Sequence, residues 1–173
     1  MATMILLPDT DGINADWTIV GESTFHDALK TDDGNTSYVK SSTNLASFIV
    51  EFANPSVAEG NISSINSVRF LSSGKSVHRT DPSVARVIWE EPTGNSYTIC
   101  SYDAHRTNYE TINGSALSHA NGTVGGWSYA NLEDIELKVT KIATIELYLS
   151  YFAMEVTYTP AVTDNATFFG ANF

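Results

Sequence analysis

The stretch ATIELYLSYFAMEVTYT, residues Ala143–Thr159, is the longest apolar run in the chain and the poorest in turn residues. Read with a period of two, it places Ile145, Leu147, Leu149 and Tyr151 on one face and Glu146, Tyr148 and Ser150 on the other, which is a strand signature. After Tyr151 the phase flips, because Phe152, Met154, Val156 and Tyr158 alternate with Ala153, Glu155 and Thr157. One long strand with a bulge or break near Ser150–Phe152 fits both halves. β-branched and aromatic residues at nearly every second place oppose a helix there. The segment is therefore expected to be a central strand of a two-layer sheet protein.

The same alternation recurs along the chain. Leu45–Ala53 sets Phe48, Val50 and Phe52 on one face, and Asn54-Pro55 ends it, since proline cannot donate to a ladder. Further strands are expected over Asp16–Gly21, Tyr38–Lys40, Asn61–Ser73 and Ile135–Thr140, with an edge strand at Asn108–Ile112. Ser83–Glu90 and Ser96–Tyr102, joined by Pro92-Thr93-Gly94-Asn95, have hairpin spacing. Two short helical turns interrupt the strands. Thr24–Lys30 follows Ser23 as N-cap and points Phe25 and Leu29 toward the core, and Trp127–Asp134 is anchored by Trp127 and Leu132. The pattern predicts an all-β, jelly-roll-like β-sandwich of about eight strands with one or two short helical turns and extended terminal arms. The sandwich spans residues 15–159. Residues 1–14 are expected to form an N-terminal arm with a turn at Pro8–Gly12, and residues 160–173 a C-terminal tail.

Composition excludes several function classes. A chain of 173 residues fills one core, and its formal net charge of −11, with only nine Lys and Arg, opposes binding to nucleic acid or to an anionic membrane. Cys100 is the single cysteine, so no intrachain disulfide forms, and its alternating apolar context suits an inert buried thiol. Met4–Leu7 is too short for a signal peptide and no window reaches the ~20 apolar residues of a membrane helix. Folding in a cytoplasm is the corresponding expectation.

Chemistry has few candidates. Asp9-Thr10-Asp11-Gly12-Ile13-Asn14 and Asp32-Asp33-Gly34-Asn35 carry carboxylates at spacings a hard cation accepts, but they lack the bidentate glutamate of an EF-hand, and Asp, Gly and Asn are ordinary turn formers. His26, His78, His105 and His119 are dispersed, with no metal-ligand spacing. No G-x-S-x-G occurs, and Glu90-Glu91 would point to opposite faces of a strand. No metal, no cofactor and no enzymatic activity are expected. Two binding hypotheses remain. In one, Tyr102, Tyr109 and Tyr129 form an exposed aromatic platform for sugars, whereas Trp17, Trp89 and Trp127 fill the core. In the other, Ile5, Leu6 and Leu7 at one end and Phe168, Phe169 and Phe173 at the other dock on neighbouring subunits, each arm weak alone and effective by repetition.

DDGNTSYV (Asp32–Val39) after a small helical turn, GGWSYANLEDIELKV (Gly125–Val139) and the closing AMEVTY (Ala153–Tyr158) resemble virion structural proteins of tailed bacteriophages, found as head decoration (cement) proteins or as tail and neck components. The resemblance implies a jelly-roll-like fold, no catalytic residue and attachment to a capsid or tail lattice. It further implies the major capsid protein as partner, a homo-oligomer with a trimer favoured, and a place in the virion after assembly in the host cytoplasm. The leading expectation is a capsid decoration protein that stabilises the head. A tail or neck component and a carbohydrate-binding β-sandwich module are the alternatives.

Overall fold

Eleven strands form among the residues described by the computed structural model, which are 1–77, 83–90, 96–104, 107–118, 126–133, 135–142 and 145–162. In chain order they are β1 (Ala2–Leu6), β2 (Pro8–Ala15), β3 (Thr18–Val20), β4 (Tyr38–Ser41), β5 (Ser47–Phe52), β6 (Ile62–Ser76), β7 (Ser83–Glu90), β8 (Ser96–Ala104), β9 (Glu110–Asn113), β10 (Glu136–Lys141) and β11 (Leu147–Pro160). They make two antiparallel sheets. The first has the order β3-β4-β11-β6-β9 with β1 also paired to β11, and the second the order β2-β5-β10-β7-β8. The chain is a jelly-roll-like β-sandwich, with more strands than the sequence suggested because β1 and β2 both join ladders, while β9 is the edge strand expected at Asn108–Ile112.

β11 is the central strand, paired with β6 along its whole length, with β4 at its start and with β1 at its end. Its register slips between Leu149 and Tyr151, so Ser150 is the extra residue of a bulge and the side chains change face there. That is the phase flip in the sequence. Leu147 and Leu149 before it, and Phe152, Met154 and Val156 after it, are all buried. Phe152 meets Phe52 of β5 at 5.6 Å between ring centroids and Phe70 of β6 at 6.1 Å, so this ring ties the two sheets together. From β5 and β10, Phe48, Val50, Phe52, Leu137 and Val139 supply the opposing layer. Each such side chain contributes about 1.5–3 kcal/mol through burial.

The N-terminal segment is not a free arm. β1 pairs residue by residue with Tyr158–Met154 of β11, and Met4 and Leu6 are buried in the core while Ile5 points out. The turn expected at Pro8–Gly12 is a strand of the opposite sheet. Edge position and two register irregularities in the β2–β5 ladder let Pro8, Asp9 and Gly12 lie in it without breaking it. Gly12 is required by close approach, since a Cβ there would stand 2.9 Å from the Ile49 side chain.

A short helix, α1 (Phe25–Lys30), closes one end of the sandwich. Its N-cap is Thr24 rather than Ser23, with the Thr24 side chain accepting from the Asp27 N–H. Phe25 lies 5.5 Å from Phe48, and Trp17 meets the same ring edge-on at 5.0 Å. At the expected second turn, Tyr129–Asn131 is a 3-10 turn closed by a Ser128–Asn131 capping box, with Trp127 and Leu132 buried on either side.

Candidate functional site

The outer face of the first sheet, around the start of β11, carries a row of aromatic and cationic side chains set by register alone. Tyr148 points outward because Leu147 and Leu149 point inward, and it lies directly opposite Lys40 of β4 and Lys75 of β6. Both ammonium groups lie near its ring, Lys40 Nζ 5.6 Å and Lys75 Nζ 5.0 Å from the centroid. Tyr38, two residues before Lys40 on the same face, places its ring 5.5 Å from that of Tyr148. Tyr109, just before β9, takes the far side of Lys75, with the ammonium 4.5 Å from its ring centre. Asn35 Oδ1 accepts from Lys75 Nζ at 2.6 Å.

Glu146 links this row to a cleft. The Tyr148 hydroxyl donates to Glu146 Oε2 at 2.5 Å, and Lys40 Nζ stands 3.3 Å from Oε1. The hydroxyl hydrogen bond first, and Lys40 with it, hold the Glu146 carboxyl below its usual range despite partial burial. The same bond pushes the Tyr148 phenol up to about 12. Burial first, then the neighbouring tyrosines and Asp33 and Asp32, raise the Tyr109 phenol, and burial raises that of Tyr151.

The cleft has a volume of about 420 Å³, with Asp16–Thr18 as one wall and Lys40–Thr43 as the other, and Glu146 between them. Its walls are fixed from behind. Asn14 bonds both backbone groups of Trp17, at 3.1 and 3.2 Å, and Ser41 Oγ donates to the Asp16 carbonyl at 2.7 Å. Asp16 accordingly sits in the left-handed region at φ 64°, which an aspartate tolerates better than most residues. Behind the other wall, Lys141 is fully buried and donates to the Thr43 carbonyl at 3.2 Å. Burial lowers the Lys141 pKa and the nearby Glu146 opposes that shift. The result is a preformed recess lined by hydroxyls, two carboxylates and one ammonium, with tyrosine rings beside it.

The expected site residues are distributed differently. Tyr109 is half-buried in the row just described. Tyr129 is also half-buried, but its hydroxyl donates to the Val57 carbonyl at 3.1 Å, beside the buried Trp127. Leu6 is core, Leu7 is half-buried with its carbonyl accepting from the Ala53 N–H, and Ile5 is exposed. The side chains of Tyr102, Cys100 and Trp89, and residues Phe168, Phe169, Phe173, His78, His105, His119 and Glu91, lie outside what the structure describes. The acidic turns are engaged by the protein itself. Asp11 accepts from the Phe25 and His26 N–H groups at 2.9 and 2.7 Å and contacts the His26 ring at 2.8 Å, and Asp33 holds Ser37. No group of three or more His, Cys, Asp or Glu converges as a metal site among the described residues. Tyr38, Lys40, Lys75, Glu146 and Tyr148 were not singled out from the sequence. Their one signal was Tyr148 falling on the polar face of the most apolar strand.

No protein-family model matches this chain, and no curated protein matches it. Several solved structures follow a similar course. The CBM22-1–GH10 portion of a Clostridium thermocellum xylanase 10B, complexed with xylohexaose, aligns at 14% identity and a TM-score of 0.47 over 88% of this chain and 25% of that one. The CBM22-1 xylan-binding domain of Paenibacillus barcinonensis Xyn10C aligns at 10% identity and a TM-score of 0.46, over 88% and 97% of the two chains. CBM35 from Cellvibrio japonicus Abf62 aligns at 11% identity and a TM-score of 0.46, over 93% and 97%. The chain spans about a quarter of the first of these proteins. At such identities and scores these likenesses assign no ligand.

Proposed function

We propose that this protein is a non-catalytic binding module whose ligand is a neutral carbohydrate, taken by the cleft and the adjoining tyrosine face. The observation that carries the reading is the cleft itself, where Asp16, Glu146 and the Thr18, Ser41, Ser42 and Thr43 segment surround a recess beside the paired rings of Tyr148 and Tyr38. Vicinal hydroxyls are donors and acceptors at once, so a sugar matches a wall of hydroxyls and carboxylates, while its C–H face packs on an aromatic ring. A site that hydrogen-bonds hydroxyls penalises ligands lacking them, because its own polar groups are then left unpaired. The net charge of −11 favours a neutral glycan over an acidic one. The test is a glycan array followed by calorimetry, with Glu146→Gln and Tyr148→Ala each expected to weaken the hits by about tenfold or more. A blank array, or hits unaffected by both substitutions, defeats the reading.

Capsid decoration is a second reading, in which the chain binds the major capsid protein as a homo-oligomer. One observation favours it: β1 pairs with β11 alone among the described residues, and Ile5 stands 43% exposed on it, so a lattice neighbour has an edge to extend. Deleting Met1–Leu7 cannot test this, since Met4 and Leu6 belong to the core. The suitable change is Ile5→Asp, which should prevent incorporation into particles while leaving the fold intact. Undiminished incorporation would sink it.

A further inference from the structure

The row on the outer face contains a second binding arrangement, which shares Tyr148 with the carbohydrate reading but is centred on Lys75. Lys75 Nζ lies 4.5 Å from the Tyr109 ring centre and 5.0 Å from that of Tyr148, with Asn35 Oδ1 accepting at 2.6 Å. Both rings are within cation–π range, and an amide oxygen completes the enclosure. In a chain of net charge −11, Lys75 has no carboxylate within ion-pair distance among the described residues. Lys30, Lys40 and Arg69 each have one. The Tyr109 hydroxyl is buried without a hydrogen-bond partner among the described residues. Two aromatic faces and an amide oxygen make a receptor for an organic cation, and the cation now in it is the chain's own.

We propose that Tyr109, Tyr148 and Asn35 form a cage for an alkylammonium group, that Lys75 fills this cage in the free protein, and that a ligand bearing such a group competes with Lys75 for it. The Lys75 backbone is fixed opposite Tyr148 in the β6–β11 ladder, but its four-carbon stem can carry the ammonium out to water. The apparent affinity for an external ammonium is then lowered by the fraction of molecules in which Lys75 occupies the cage. Opening the cage needs no backbone change in the ladder. The proposal stands independently of whether the cleft binds sugar.

The full chain is titrated with tetramethylammonium chloride, against sodium chloride at equal ionic strength, with NMR shifts of the tyrosine rings as readout. Lys75→Ala is expected to bind about tenfold more tightly than the unsubstituted chain, and adding Tyr109→Ala to it is expected to remove the binding. Binding by Lys75→Ala that is no tighter than in the unsubstituted chain, or that survives the loss of Tyr109, overturns the cage. Should Lys75→Ala fail to fold, reductive dimethylation of the unsubstituted chain gives a second reading, with Lys75→Arg identifying the signal. Ring currents from Tyr109 and Tyr148 should move the N-methyl resonance of Lys75 upfield of those of exposed lysines, and coincidence with them overturns the proposal.

Discussion

β11 is two different strands on either side of Ser150. Before the bulge its outward residue, Tyr148, lies between two lysines and bonds Glu146, at the edge of a cleft. After it the outward Glu155 makes a plain cross-strand ion pair with Arg69 at 2.7 Å, while Phe152, Met154 and Val156 fill the core. Both halves keep buried inner faces, so the packing is common to them and the difference lies in what borders the strand. β4 flanks the first half and β1 the second. The lesson is that a polar and aromatic outer face can be built on a structural strand without weakening it, provided the inner face stays apolar.

Changes in the second half should therefore damage folding and leave binding intact in whatever remains folded. Phe152→Ala removes the ring that joins the sheets and should cost about 3–5 kcal/mol in urea unfolding. Leu6→Ala, on the strand that borders this half, should cost about 2–5 kcal/mol. A value near zero would mean that β1 is a dispensable arm after all. In the first half the order reverses. Tyr148→Ala should cost about 1–2 kcal/mol of stability while weakening binding at both cleft and cage by about tenfold or more.

Acidity should separate the halves further. The Glu146 carboxyl lies below its ordinary value of 4.5 in the folded chain, so its contribution is fully present above that value and is lost as the pH falls through its folded pKa. The stability difference between the unsubstituted chain and Glu146→Gln should thus shrink below pH ~4.5, from under about 1 kcal/mol toward zero. The smallest effect is expected for Arg69→Ala, whose half-buried pair with Glu155 contributes about 0–1 kcal/mol. A large loss there would show that the second half also depends on its outer face.

The layered fold was legible because its evidence is local. Alternation in Leu147–Tyr158 and in Phe48–Phe52, and even the change of phase at Ser150, survive in the strands, with Leu147, Leu149, Phe152, Met154 and Val156 buried as expected, whereas at the bulge Ser150 is buried and Tyr151 only half-buried. The N-terminal segment was misread for an equally local reason: Pro8-Asp9-Thr10-Asp11-Gly12 has turn composition, yet an edge strand with an irregular ladder accepts it, and Asp11 is occupied in capping α1. Of the proposed binding face only Tyr109 was legible, because Tyr38, Lys40, Lys75 and Tyr148 come from three separate segments and meet only through strand register. Nothing in their spacing along the chain encodes that register.

The pairing of β1 with the far end of β11 joins Leu6 to Met154, nearly the full length of the polypeptide apart. A growing chain can bury Met4 and Leu6 against β11 only after that strand has emerged. Such distant closure makes for slow folding.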